Sequence, residues 1–154
     1  MVTESWCRTQ TALFADVVVV ENPRKTGLAL QLDDGTRKSH SIAENTEFVY
    51  GFFAGLANEA SFRNLVTSLF YVYQAMETAF DESSDDSVKK LDDKELRRMK
   101  PLEEDMEYFY GSDWKSKLPP PSPATVAYVE RIQRVAEEEP YLLVAHQYTR
   151  YLGD

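Results

Sequence analysis

The sequence predicts an all-α, multi-helical fold, and three observations carry that reading. From Leu28 onward the apolar residues recur at steps of three and four rather than two, the spacing of helix faces. Between residues 61 and 80, Phe62, Leu65, Val66, Leu69, Phe70, Tyr73, Met76 and Phe80 make the strongest amphipathic stripe in the chain. Two later segments carry helix-start chemistry, Ser122-Pro123 as N-cap and first-turn proline, and Pro140. At 154 residues, 43% of them hydrophobic, the chain has the size of one domain that buries roughly two-thirds of its unfolded surface.

Taken in order, a first helix is expected over 34–56, with Ile42, Phe48, Phe52 and Leu56 on its apolar side. Gly51 and Gly55 within it either weaken it by ~1 kcal/mol each or permit a close packing contact. A second helix spans 61–80. The Ser/Asp-rich stretch 81–90 reads as an exposed loop. Residues 89–100 mix Lys and Arg with Asp92, Asp93 and Glu95, which fits a solvated face, or alternatively a docking patch for an acidic redox protein. A short helix near 102–110 precedes Pro119-Pro120-Pro121, which lack backbone donors and stay outside helices. The helix begun by Ser122-Pro123 runs to about residue 138 with Tyr128, Ile132 and Val135 facing in, and Pro140 opens the last one. No internal repeat is present.

A formal net charge of −9 argues against a phosphate-backbone partner, so no nucleic acid is expected. The single cysteine, Cys7, cannot form an internal disulfide, and no Cys/His cluster offers a zinc site, which fits the interior of a cell or organelle. The apolar run at 17–20, with residues 12–15 before it, is far shorter than the ~20 residues of a spanning helix. Residues 1–27 are read as an unassigned N-terminal extension, a leader remnant or a misassigned start, because Glu4, Asp16 and Glu21 spoil a transit peptide and no basic n-region precedes the apolar run. Residues 28–154 are read as the helical domain.

His40 and Glu44 stand four residues apart, so their side chains meet on one helix face. A carboxylate on one ring nitrogen fixes the tautomer and ring angle and leaves the other nitrogen's lone pair for a metal. A surface or capping histidine is the commoner meaning of that residue type alone.

The segment Gly35-Thr36-Arg37-Lys38-Ser39-His40-Ser41-Ile42-Ala43-Glu44-Asn45-Thr46-Glu47-Phe48 resembles the proximal helix of the biliverdin-producing heme oxygenases. The likeness continues in order through Leu69-Phe70-Tyr71-Val72-Tyr73-Gln74-Ala75-Met76-Glu77, Leu102-Glu103-Glu104-Asp105-Met106, Tyr110-Gly111 and Trp114. It resumes at Ser122-Pro123-Ala124-Thr125 and Tyr128-Val129-Glu130-Arg131-Ile132. Its last block includes Ala145-His146-Gln147-Tyr148-Thr149-Arg150-Tyr151-Leu152-Gly153-Asp154, the lead-in to the family's distal helix. The wording is closest to the cyanobacterial and plastid branch. In that family a Ser-Gly-Gly segment follows, so the expectation is an N-terminal part of the family fold that is C-terminally truncated.

The resemblance implies oxidation of heme with O2 and electrons to biliverdin, CO and ferrous iron, heme being both substrate and prosthetic group. It implies His40 as the proximal iron ligand and Glu44 as its orienting partner. It implies Asp154 as the distal aspartate that anchors a water network, with Arg150 and Tyr128 in the same network. Tyr148 corresponds to a propionate contact, and Gly153 to a position where the backbone approaches heme. Without the resemblance, Tyr128 and Tyr148 read as half-buried aromatics and Arg150 as a surface charge. Two departures stand out: Asp33 lies where the family places a basic residue near a propionate, and Phe70 replaces a tyrosine of the distal network.

These departures support an alternative, a non-catalytic heme-binding or regulatory module, or a helical fragment inactive in this form. Because the expected lid lies past Asp154, poor heme turnover by the 154-residue chain is the expectation. The plastid-like wording implies ferredoxin as electron donor, docking on Arg37, Lys38 or the 89–100 stretch, where other relatives use a flavoprotein reductase. It also implies a monomer, with a chloroplast location or, alternatively, a cytoplasmic one.

Overall fold

In a computed structural model of the chain, residues 27–56 and 58–153 are described, and every regular element among them is helical. The chain divides into two compact units, residues 1–56 and 57–154. The expected leader and its apolar run at 17–20 lie outside the described residues.

The first unit holds α1 (Gly27–Glu44) and α2 (Glu47–Phe53). The single helix expected over 34–56 is thus two helices, and the first starts earlier. The break has a local cause: Thr46 takes an extended conformation and its hydroxyl accepts from Val49 N at 3.3 Å, capping a new helix that opens with Glu47 at the positive end of its dipole. Gly55 is a terminator rather than an interior residue. At φ +68° it lets its own N–H reach Phe52 O at 3.1 Å and Leu56 N–H reach Gly51 O at 2.8 Å, the paired bonds of a Schellman stop. No residue of α1 or α2 is buried, Ile42 included, and Leu56 beyond α2 is exposed as well.

The second unit is organised on α3 (Glu59–Glu82), started by Asn58, whose side chain accepts from Ser61 N at 2.9 Å. Its buried stripe Val66, Phe70, Tyr73, Met76 and Phe80 matches the expectation from periodicity. Against it pack α5 (Met99–Tyr110), α7 (Pro123–Glu138) and α8 (Leu143–Gly153). Met76, Met106, Ile132 and Leu143, one from each helix, are the fully buried centre of the core. Ser122 caps α7 as expected, accepting from Thr125 N at 3.2 Å with Pro123 in the first turn. Pro140 opens a 3-10 turn, Pro140–Leu142, that feeds α8. The short α6 (Trp114–Lys117) was not anticipated.

Residues 81–90 are not one exposed loop. Asp85 accepts from Ser87 N and Val88 N at 2.8 and 3.2 Å and caps α4 (Asp86–Leu91), which buries Val88. The 89–100 stretch is likewise only partly a solvated face. Arg97, 14% exposed, grips Asp92 with two nitrogens at 2.9 and 2.7 Å and reaches Asp81 at 3.1 Å and the Glu77 carbonyl at 3.1 Å. Lys94 bridges Asp81 and Asp92 at 2.9 Å each.

The hydrogen bond from Arg97 holds the Asp92 carboxyl below its ordinary range, against the opposing effect of burial. Asp92 therefore binds protons less readily folded than unfolded, so its stabilisation is complete above the unfolded pKa near ~4 and is lost as pH falls through the folded value. Chemical unfolding followed against pH should show that acid limb, and Asp92→Asn should flatten it. Arg97→Met should cost about 3 kcal/mol, the low end for stranding buried charge, because the Asp81 end of the network is open to water.

Candidate functional site

On α1 the i,i+4 spacing does what the sequence predicts: His40 Nε2 lies 2.9 Å from Glu44 Oε1. With one ring nitrogen held by the carboxylate, the other keeps a lone pair, and a half-turn about χ2 exchanges the two. Both side chains are exposed, as a ligand-receiving edge requires. Asp33, the acid at a position expected to be basic, is bridged by Arg37 at 2.8 Å, and Arg37 also pairs with Asp34. Those carboxylates, the Asp33 hydrogen bond first, raise the Arg37 pKa further. The acid is thus countered by a cation one turn along the same helix.

In the second unit, α7 and α8 bring three polar side chains together. Tyr128 Oη is 3.0 Å from His146 Nδ1, and the two rings lie 5.4 Å apart at 57°. Arg150, one turn after His146, sets its guanidinium carbon 5.5 Å over the Tyr128 ring, within cation–π range. Burial pushes the His146 pKa down, and the positive charges of Arg131 and Arg150 push it the same way. His146 is therefore neutral at pH 7.

The setting of α8 follows from its contacts with α3 and α4. Leu143 is fully buried, and Tyr151 lies against Tyr73 with ring centres 5.6 Å apart. Tyr73 Oη donates to the Arg150 carbonyl at 2.8 Å, Tyr151 Oη donates to Glu77 Oε1 at 3.0 Å, and the Gln147 amide donates to the Leu91 carbonyl. Burial raises the Tyr151 pKa, and the Glu77 carboxylate adds to it, so the phenol stays a donor.

Of the residues singled out in the sequence, Tyr128 and Arg150 share one cluster, while His40 and Glu44 form a pair on α1. Tyr148, two residues from His146 and so about 200° around the helix, is 68% exposed and lies outside that cluster. Gly153 ends α8, and Asp154 lies outside the described residues. Phe70 is a core residue, 3% exposed, with its ring 5.3 Å from Trp114, edge to face. Sequence reasoning assigns His146 no role. Its position four residues before Arg150 is the signal that places both on one helix face.

Comparison with known proteins converges on one family. The family model described as heme oxygenase matches residues 26–154. The heme oxygenase of Pyropia yezoensis is 48% identical over 128 residues, covering 82% of this chain and 53% of that protein. The crystal structure of heme oxygenase-1 from the cyanobacterium Synechocystis in complex with heme superposes with a TM-score of 0.75 at 45% identity, covering 83% of this chain and 58% of that one. The heme oxygenase of Leptospira interrogans gives 0.73 at 36% identity, covering 83% and 62%. The chain spans about half the length of the curated relatives it matches.

Tyr73→Phe should test how α8 is held. It removes the donor to the Arg150 carbonyl, and the expected loss is about 1 kcal/mol in unfolding free energy, with faster amide exchange confined to residues 145–153. Unchanged exchange there would show that the Leu143 and Tyr151 contacts hold the helix without that bond.

Proposed function

The chain belongs to the heme oxygenase family, and on that premise we propose that it contributes the proximal ligand and part of the distal side of a heme-degrading oxygenase. The observation that carries the proposal is the His40–Glu44 pair, 2.9 Å apart inside the matched segment. Among the described residues no three His, Cys, Asp or Glu side chains gather into a metal site. Iron held here through His40 alone takes its other ligands from the group that carries it, which suits a porphyrin.

When bound, heme would be both the substrate and the oxygen-activating group, with O2 and electrons supplied from outside for its oxidation to biliverdin, CO and ferrous iron. The residues of the chain position and supply protons. Glu44 holds one nitrogen of His40, so that the ring presents the other at a fixed angle with raised basicity. Tyr128 and Arg150 provide the distal polar network, and Asp154 its carboxylate. Gly153, without a side chain, lets the α8 backbone approach the macrocycle, and the exposed phenol of Tyr148 takes a propionate. Arg37 is occupied by Asp33 and Asp34, Lys94 by Asp81 and Asp92, and Arg97 by Asp92, Asp81 and Glu77, which leaves Lys38, Lys89, Lys90, Arg98 and Lys100 as the better candidates for docking an acidic donor of the ferredoxin kind. A plastid location and a monomeric state complete the proposal.

A second reading, heme binding without turnover, is favoured by Phe70, whose buried ring brings no hydroxyl to the distal network. Hemin titration of the chain followed by its Soret band separates the two. A histidine-ligated spectrum is expected, lost in His40→Ala and weakened about tenfold in Glu44→Ala. A spectrum indifferent to His40→Ala would overturn the ligand assignment. Reductant and O2 then bear on the chemistry: absorbance of biliverdin in the red supports the oxygenase, and because this chain spans about half the length of its relatives, a stable heme complex supports the second reading only where it persists in a chain extended to their full length.

A further inference from the structure

We propose that His146 is a positioning residue: its Nδ1 accepts the Tyr128 hydroxyl proton and so fixes the direction in which Tyr128 offers its oxygen to the polar groups around Arg150. Its bearing on catalysis rests on the family reading of Tyr128, but the proton arrangement stands on the geometry of α7 and α8 alone.

The 3.0 Å contact between Tyr128 Oη and His146 Nδ1 admits one proton, with two possible owners. A phenol is a strong donor and a weak acceptor, because its oxygen lone pairs delocalise into the ring, whereas a neutral imidazole nitrogen is a strong acceptor. The Arg150 guanidinium over the Tyr128 ring draws electron density toward itself and sharpens the phenol as a donor. The opposite polarity through an imidazolium is disfavoured by burial and by the two nearby cations, Arg131 of α7 and Arg150 of α8. From α3, Glu77 is turned to Tyr151 on another face of α8 and is engaged there. His146 therefore sits as the Nε2–H tautomer, with its bare Nδ1 toward Tyr128.

The consequence is directional. A phenol has one proton and two acceptor lone pairs. With the proton committed to His146, Tyr128 can only accept from any water or guanidinium that faces it, so its oxygen is presented to that side as an acceptor. Protonation of His146 would reverse that polarity and free the phenol to donate.

The chain contains two histidines, so 15N-histidine NMR of the His40→Ala chain reports His146 alone. The expected result at pH 7 is a single Nε2–H tautomer with an unprotonated, hydrogen-bonded Nδ1 and a titration midpoint below the ordinary value near ~6.5. Tyr128→Phe should shift the Nδ1 resonance and raise the midpoint, since loss of the donor removes stabilisation of the neutral ring. With 13Cζ-labelled tyrosine, His146→Phe should move the Tyr128 signal. His146→Gln, which offers an amide oxygen, should restore part of that shift.

An Nδ1-protonated tautomer at pH 7 would overturn the proposal, as would a resonance and midpoint indifferent to Tyr128→Phe. Should His146→Phe lose helicity by circular dichroism, the tautomer and Tyr128→Phe arms still decide. No hemin enters these measurements, so their outcome is independent of whether the chain binds heme.

Discussion

The Glu77 carboxylate is the constraint on which the second unit depends. It sits on the core face of α3, 6% exposed, and a carboxylate so placed is tolerated only if its oxygens are satisfied. Three groups from two segments far apart in sequence meet that demand: Arg98 N–H at 2.6 Å and Arg97 Nη1 at 3.6 Å from one, and Tyr151 Oη at 3.0 Å from the other. Meeting it draws the 92–98 segment back along α3 and draws the end of α8 onto α3. Arg97, once brought in, needs its own partners, and Asp92 and Asp81 provide them. Residues that read in the sequence as a mixed surface stretch are therefore the clasp between α3 and the second half of the unit.

Where a helix was legible, one strong local signal sufficed. The stripe of α3 repeats through about five turns, and the Ser122-Pro123 start of α7 is written in two adjacent residues. Where it was not, the deciding residue acts over a single turn. Thr46 splits the expected 34–56 helix by offering one hydroxyl to one N–H, a bond that competes with helix continuation. Asp85 makes six residues helical inside a stretch whose Ser and Asp content matches loops. No periodicity can develop in a helix that short, and only the burial of Val88 gives it reason to persist.

The candidate site divides along the same line. His40 and Glu44 were readable because helix geometry alone brings positions i and i+4 together. Tyr128 and His146 were not, because their contact crosses between α7 and α8 through the Pro140–Leu142 turn. The family likeness marked Tyr128 and Arg150 but was silent on the histidine between them, and neither likeness nor spacing tells which atom carries a proton. Asp33 offers the converse case. Its charge reads as repulsive from position alone, whereas Arg37 one turn away neutralises it.

The helix α8 shows how core and chemistry are joined in eleven residues. Leu143, Gln147 and Tyr151, spaced by four, seat it against α3 and α4 through burial, an amide bond and a phenol. His146 and Arg150, also spaced by four, lie one residue behind the latter two, about 100° around the helix, and so face α7 and Tyr128. The rotation of the polar face is consequently set by the apolar one. The Tyr73 bond to the Arg150 carbonyl then fixes the axial position of the residue whose side chain covers Tyr128. A substitution on the Tyr73–Tyr151 side, which bears none of the Tyr128–His146–Arg150 side chains, would turn or slide the helix and misalign the His146–Tyr128 pair without touching it. The orientation of the Tyr128–His146–Arg150 cluster is thus a property of the core packing beneath it, and the buried Glu77 carboxylate is what holds that packing in register.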